Sequence, residues 1–139
     1  FPKQTSGYFV DSDKLYKDFE YVGYKQAKEL NKDISNEHRI LIKQFEKRLL
    51  VLKKILIKNN ITPIFITQIS FNGIKDQKLF LINEKLKDFS KNNGFQLIKL
   101  DEIINMNLYD FYDEMHTTPK GSKKIADVIY PFLKKMLLN

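Results

Sequence analysis

Apolar residues recur every three or four positions in three long segments of the chain, and this spacing predicts three α-helices. The first runs from about residue 31 to Asn59–Asn60, and Ser35 or Asn36 can cap its start. Its apolar residues are predicted to share one buried face: Leu41, Phe45, Leu49, Leu52 and Leu56.

The second predicted helix ends at "KNNG", where Gly94 suits a left-handed cap. The third covers about residues 119–137, with Pro119 in its first turn and Pro131 expected to kink it. The apolar face of the second helix consists of Leu79, Ile82, Leu86 and Phe89. That of the third consists of Ile125, Val128, Ile129, Phe132 and Met136.

Two short apolar segments lie between the helices and predict buried β-strands. "ITPIFITQI" covers residues 61–69 and is rich in β-branched residues with almost no alternation of polar positions. "FQLIKL" covers residues 95–100. Continuous apolar character of this kind is typical of strands buried on both faces in a parallel sheet.

The order helix, strand, helix, strand, loop, helix over residues 31–139 predicts an α/β fold with a parallel sheet and helices on its faces. Residues 1–30 show weak periodicity and predict an irregular region, with a short helix at 12–20. Because two strands are too few for a stable sheet, we expect further strands from a segment upstream of this chain.

Composition limits the classes of function. The 139-residue chain carries a formal charge of +7, but only Arg39 and Arg48 of its 24 basic residues are arginine, and the lysines are scattered. A nucleic-acid reader would cluster its charges and use more arginine, so no nucleic-acid partner is predicted. No apolar run is long enough to predict a membrane span. With no cysteine and two histidines, neither a metal site nor a cofactor is predicted.

The pair Asp113-x-x-His116 is the clearest candidate for chemistry. An aspartate three residues before a histidine can fold back and accept a hydrogen bond from the imidazole Nδ1, which leaves Nε2 as a general base. The loop follows the last predicted strand, where open α/β sheets place their sites. Asp110 could compete as the orienting carboxylate, and a surface-loop histidine without catalytic function remains the alternative.

The stretch "DEMHTTPKGSKKIADVIYPFL", residues 113–133, resembles the last block of the SGNH (GDSL-type) hydrolase family. In that family an Asp-x-x-His block is followed by a small polar turn with glycine and a final helix. "ILIKNNITPIFITQ" and "LINEKLKDFSKNNGFQLIKLDE" are similar to its helix-to-strand segments and occur in the family's order. The resemblance covers about residues 40 to 138.

This resemblance implies a three-layer α/β/α fold of the flavodoxin-like SGNH type, incomplete here, with residues 1–139 as the carboxyl-terminal portion of one domain. It implies a serine esterase acting on small acyl esters, either O-acetyl sugars or lipid esters, by hydrolysis or acyl transfer. His116 would be the general base and Asp113 its orienting partner. The family's Gly-Asp-Ser block, with the nucleophile, and its oxyanion-hole blocks are absent from this sequence. The alternative is therefore a binding or assembly module without the nucleophile.

Other residues have open or structural interpretations. Gln68 lies near the end of the first predicted strand, and Ser70 and Asn72 follow it. All three are expected to line the substrate cleft, although Ser70 lacks the glycine-rich surroundings of a nucleophile. Three aromatic residues before the dyad either line the cleft or pack in the core: Tyr109, Phe111 and Tyr112. A solvated position is predicted for His38, and structural positions for Asp101 and Glu102.

Overall fold

The two predicted strands pair with each other in a parallel sheet. Strand β1 is Ile64–Ile66 and strand β2 is Gln96–Ile98, and the register places Phe65 opposite Leu97. The computed structural model describes residues 24–30, 34–71, 77–113 and 115–138. Within these residues the chain is a mixed α/β structure in which helices dominate over a two-stranded sheet.

The helices of the described residues occupy most of the chain between and around the strands. Helix α1 is Tyr24–Leu30, α2 is Asn36–Lys58, α3 is Gln77–Asn93, α4 is Leu100–Ile103 and α5 is Pro119–Leu137, with a 3₁₀ turn at Leu108–Asp110. The bounds predicted for the last helix are confirmed. The prediction of an irregular region over residues 1–30 is wrong for α1, and the helix predicted at 12–20 lies outside the described residues.

Side-chain hydrogen bonds and backbone geometry set the ends of these helices as predicted. Ser35 caps α2, because its hydroxyl accepts a hydrogen bond from the backbone N–H of His38 at 3.2 Å. Gly94 follows α3 with φ at +66°, the left-handed conformation that glycine adopts at little cost. Pro131 lies within α5, which continues past it to Leu137.

Both strands are shorter than predicted because other groups take over their backbone hydrogen bonds. The ladder extends one bond beyond β1, from the Thr67 N–H to the Ile98 carbonyl at 3.1 Å. The next residue, Gln68, instead gives its N–H to the Asn83 side chain at 3.0 Å and accepts from it at 2.8 Å. After β2, α4 begins at Leu100, inside the segment predicted as strand.

Hydrophobic clusters form on the two sides of β1. Phe65 packs with Leu49 of α2 and with Leu86 and Phe89 of α3. The neighbouring residue Ile66 packs in a different cluster, which also contains Phe71, Leu100, Ile104, Met106, Phe111 and three residues of α5, Ile125, Val128 and Ile129. Successive residues of a strand point to opposite faces, so α2 and α3 contact one face of β1 and α5 contacts the other.

Two residues assigned to buried helix faces are more exposed than predicted. Leu52 of α2 is 37% exposed and Phe132 of α5 is 41% exposed. Among the described helices, none combines the length and apolar character that crossing a membrane requires.

Candidate active-site hairpin

The segment between the 3₁₀ turn and α5 folds into a tight hairpin. The Tyr112 N–H donates to the His116 carbonyl at 2.8 Å, and the Thr118 N–H donates to the Asp110 carbonyl at 2.9 Å. Between these two bonds, Phe111 and Thr117 form an antiparallel bridge. The hairpin therefore brings Asp113, Met115 and His116 to its tip.

The base of the hairpin is fixed to the core and to α5. Phe111 is 3% exposed and packs edge-to-face on Phe71, with ring centroids 5.8 Å apart. Thr118 caps α5 by accepting from the Gly121 N–H at 3.1 Å, and its hydroxyl donates to the Tyr109 carbonyl at 2.9 Å. A side chain at Gly121 would meet the Asp110 carbonyl oxygen, which lies 2.0 Å from the position of a Cβ atom.

The predicted contact between Asp113 and His116 is present. The imidazole Nδ1 lies 2.8 Å from Oδ2 and 3.0 Å from Oδ1 of Asp113. The same Oδ1 accepts the backbone N–H groups of Met115 and His116, each at 2.8 Å. These two backbone hydrogen bonds, followed by the one from the imidazole, lower the pKa of Asp113 from 3.8 to about 2.

The geometry fixes how the imidazole can act. An ionised carboxylate only accepts hydrogen bonds, so the neutral ring carries its proton on Nδ1 and presents the Nε2 lone pair. The side chain of His116 is 79% exposed. Within the described residues, the hydrogen bonds of this imidazole go to Asp113 alone. Nε2 can therefore take a proton from a hydroxyl group and later return it to a leaving group.

Asp110, the alternative orienting carboxylate, has a different function. It is fully buried, and its Oδ2 accepts from the Asn107 N–H at 2.8 Å and from the Lys124 ammonium at 2.6 Å. Burial alone would raise the pKa of Asp110, but the hydrogen bonds from Lys124 and Asn107 bring it below the usual value. Asp110 thus ties the 3₁₀ turn to α5 and does not contact the imidazole.

The residues expected to line the cleft are placed only in part. Gln68 is exposed, and Asn83 holds its backbone just beyond β1. Ser70 is half-buried two positions further along. The next residue, Phe71, packs on Phe111, so this segment reaches the base of the hairpin. Asn72 lies outside the described residues. Lining of a cleft by Gln68, Ser70 and Asn72 stays a prediction.

The aromatic residues before the dyad separate into two groups. Phe111 is a core residue, whereas Tyr109 is 68% exposed and Tyr112 is 67% exposed. His38, predicted to be solvated, is instead half-buried, and its Nδ1 contacts the Gln77 side-chain oxygen. The reason is that α2 and α3 pack side by side, which brings the starts of both helices together.

A buried ionic cluster around Lys87 was not evident from the sequence. The Lys87 ammonium contacts Glu84 at 2.8 Å, Asp101 at 2.8 Å and Glu102 at 2.9 Å. Burial disfavours the charged lysine, but hydrogen bonds to these carboxylates raise the pKa of Lys87 above its ordinary value. The contacts agree with structural functions for Asp101 and Glu102.

The Lys87 cluster also extends to other parts of the fold. Asp101 accepts the Thr67 hydroxyl at 2.6 Å, which connects the cluster to the end of β1. Lys87 lies 4.0 Å from the centroid of the Tyr24 ring in α1. Burial and a hydrogen bond to Glu84 raise the pKa of Tyr24 to about 12.

Two further features bear on alternative sites. A cavity of about 330 Å³ lies between α2 and α3, lined by Ile42, Glu46, Leu81 and Lys85 among others, and neither dyad residue lines it. Within the described ranges, no group of three or more His, Asp or Glu side chains is arranged to hold a metal ion.

Comparisons with protein-family models, with curated proteins and with solved structures give no match to this chain. The resemblance to the SGNH hydrolases thus depends on the sequence motifs alone.

Proposed function

We propose that this chain carries the acid–base half of a serine ester hydrolase of the SGNH type. The observation that supports this most directly is the Asp113 carboxylate 2.8 Å from Nδ1 of an imidazole whose side chain is 79% exposed. That is the arrangement by which an aspartate orients a catalytic histidine. The substrate would be a small acyl ester, on a sugar or a lipid.

The proposed reaction uses a serine hydroxyl from a segment upstream of this chain. His116 Nε2 accepts the hydroxyl proton as the serine oxygen attacks the acyl carbonyl. When the tetrahedral intermediate collapses, Nε2 gives that proton to the departing alcohol, and the acyl group stays on the serine. Water, or a second alcohol in a transfer reaction, then releases the acyl group by the same steps. Asp113 stabilises the imidazolium that forms each time.

The proposed fold is the three-layer α/β/α arrangement of that family. Its support is the alternation along β1, where Phe65 contacts α2 and α3 while Ile66 contacts the cluster that includes α5. Helices on both sides of a parallel strand pair are typical of this architecture. Further strands beside the present pair would complete the sheet.

The test is turnover of p-nitrophenyl acetate by the full-length protein and its His116→Ala variant. We expect the rate to fall by about 10²- to 10⁴-fold, since the general base is removed. The matched control is His38→Ala, which removes the other histidine of the chain and should leave turnover unchanged. Equal rates for wild type and His116→Ala would exclude the mechanism.

The exposed imidazole also fits the alternative, a binding module that retains the dyad without a nucleophile. A fluorophosphonate probe distinguishes the two, because it labels an activated serine covalently. We expect labelling that depends on His116 and persists in Ser70→Ala. Absence of labelling in the full-length protein would favour the binding module.

A further inference from the structure

Tyr112 and His116 occupy opposite positions across the hairpin. They flank the bridge between Phe111 and Thr117, and the Tyr112 N–H donates to the His116 carbonyl at 2.8 Å. Residues facing each other across antiparallel strands have Cβ atoms about 5 Å apart. The backbone pairing thus makes Tyr112 and His116 cross-strand neighbours on this hairpin.

Both side chains are on the outer face of the hairpin. Phe111 is 3% exposed and points into the core, and side chains alternate along an extended segment. Accordingly Tyr112 is 67% exposed, and the side chain of His116 is 79% exposed. A largely exposed aromatic side chain therefore lies next to the proposed general base in the hairpin.

The direction of proton transfer indicates which part of the substrate would contact the Tyr112 ring. In the proposed reaction, the bond between the acyl carbon and the alcohol oxygen breaks as Nε2 gives its proton to that oxygen. The alcohol oxygen must therefore come within about 3 Å of Nε2. The carbon atoms attached to it then lie beside the imidazole, and Tyr112 is the cross-strand neighbour of His116.

We infer that Tyr112 is a substrate-contact residue that packs against the alcohol portion of the ester and favours bulky, ring-shaped or apolar alcohols over small ones. The inference rests on the proposed function. It adds a specificity-determining residue that acts on the leaving group and not on the acyl chain. Met115 is another exposed apolar side chain at the hairpin tip, at 73% exposure.

The test compares two series of esters in the full-length protein. One series varies the alcohol of an acetate ester, from ethyl to cyclohexylmethyl, and the other varies the acyl chain of p-nitrophenyl esters. In Tyr112→Ala, kcat/KM for cyclohexylmethyl acetate should fall about fivefold to tenfold, as expected for loss of an aromatic contact. In the same variant, kcat/KM for ethyl acetate should change less than about twofold. The relative kcat/KM values along the acyl-length series should also change less than about twofold.

Two variants serve as controls. Tyr112→Phe keeps the ring and should retain the alcohol preference. Tyr130→Ala removes a tyrosine of similar exposure, 63%, from the middle of α5 and should behave as wild type. Thermal unfolding should be nearly unchanged in all three variants, because these side chains are exposed.

The outcomes separate this inference from the proposed function. Ester turnover that does not depend on His116 overturns both. Turnover that depends on His116, with the alcohol preference unchanged in Tyr112→Ala or with the acyl-length preference altered instead, overturns the inference alone.

Discussion

At the scale of single residues, Asp113 combines two tasks in one carboxylate. Its Oδ1 accepts the backbone N–H groups of Met115 and His116, which closes the turn, while the carboxylate also holds Nδ1 of the imidazole. The ring is oriented by the same group that shapes the backbone beneath it.

The low pKa of Asp113 leads to a prediction for His116→Ala. The backbone hydrogen bonds from Met115 and His116 are the largest causes of the shift to about 2, and they do not involve the imidazole. The pKa of Asp113 in the variant should therefore stay below 3.8, the ordinary value. Carboxyl-carbon NMR titration measures it, with His38→Ala as a control in which it should not move. A midpoint back at the ordinary value would contradict the hydrogen bonds described here.

The same shift has a consequence for stability. The pKa of Asp113 is lower in the folded chain than in the unfolded chain. Its ionised form therefore stabilises the fold at pH values above the unfolded-state pKa. That contribution is lost as the pH falls from 3.8 towards about 2. Unfolding measurements across this range should show a smaller acid sensitivity in Asp113→Ala.

The dyad could be predicted from the sequence because its partners are three residues apart and one turn brings them together. The contact of Asn83 with the Gln68 backbone could not, since it joins residues 15 apart through tertiary packing. His38 illustrates the same limit. Its neighbour Gln77 is 39 residues away, so nothing in the local pattern indicated that contact.

At the scale of elements, the first turn of α5 packs directly on the hairpin. The Asp110 carbonyl oxygen lies 2.0 Å from the position of a Cβ atom at Gly121, and it also accepts the Thr118 N–H in the hairpin. Helix and hairpin approach this closely only because residue 121 has no side chain. The position of the dyad is thus linked to the start of the helix.

Gly121→Ala should separate these two elements. The added methyl group would overlap the Asp110 carbonyl, so we expect a loss of about 1–3 kcal/mol in the free energy of unfolding. Ester turnover should fall as well, because the hairpin shifts. Urea denaturation provides the measurement, and Lys120→Ala, an exposed position in the same turn, is the matched control. Wild-type stability in Gly121→Ala would show that the helix and hairpin are further apart than described.

The three long helices, α2, α3 and α5, were predictable as elements, but α1, α4 and the strand lengths were not. Apolar spacing over 119–137 gave the limits of α5 because a long helix repeats its signal many times. A strand ends where its backbone hydrogen-bond partners end. Beyond β1, the Asn83 side chain binds the backbone of Gln68. Beyond β2, the Thr67 hydroxyl accepts the Asp101 N–H in the first turn of α4. Side-chain to backbone contacts of this kind leave no local pattern.

At the scale of the whole molecule, Lys87 connects four parts of the fold. From α3 it reaches Tyr24 of α1 and the carboxylates of Asp101 and Glu102 in α4, and through Asp101 it reaches Thr67 beyond β1. Asp101 is 3% exposed, so its negative charge depends on this lysine for compensation.

Lys87→Met should destabilise the whole domain. Removing the ammonium leaves a buried carboxylate without its cation, which costs about 3–5 kcal/mol in comparable cases. Lys85→Met is the matched control, because Lys85 pairs with Glu46 at 3.3 Å near the surface and should contribute less than about 1 kcal/mol. Chemical denaturation of both variants tests the difference. Equal losses in the free energy of unfolding for the two variants would show that the Lys87 cluster stabilises the fold no more than a surface ion pair.

Composition alone did not indicate that Lys87 is buried in an ionic cluster. Lysines are usually solvated, and 24 basic residues in the chain gave no reason to single out one of them.

The prediction that the net charge of +7 serves no nucleic-acid partner stays a prediction. Several described lysines are paired with acidic groups, among them Lys85, Lys87, Lys123 and Lys124.

The short-range hydrogen bonding of the hairpin has a consequence for protein engineering. The stretch from Asn107 to Ser122 includes the capping box of the 3₁₀ turn, the Phe111–Thr117 bridge and the Thr118 cap. The stretch could be grafted onto a host protein that has an apolar pocket for Phe111 and a helix that continues from Pro119. The graft would carry the His116 imidazole already oriented by Asp113. Turnover of an ester by such a graft would test the proposed acid–base chemistry apart from the rest of the fold.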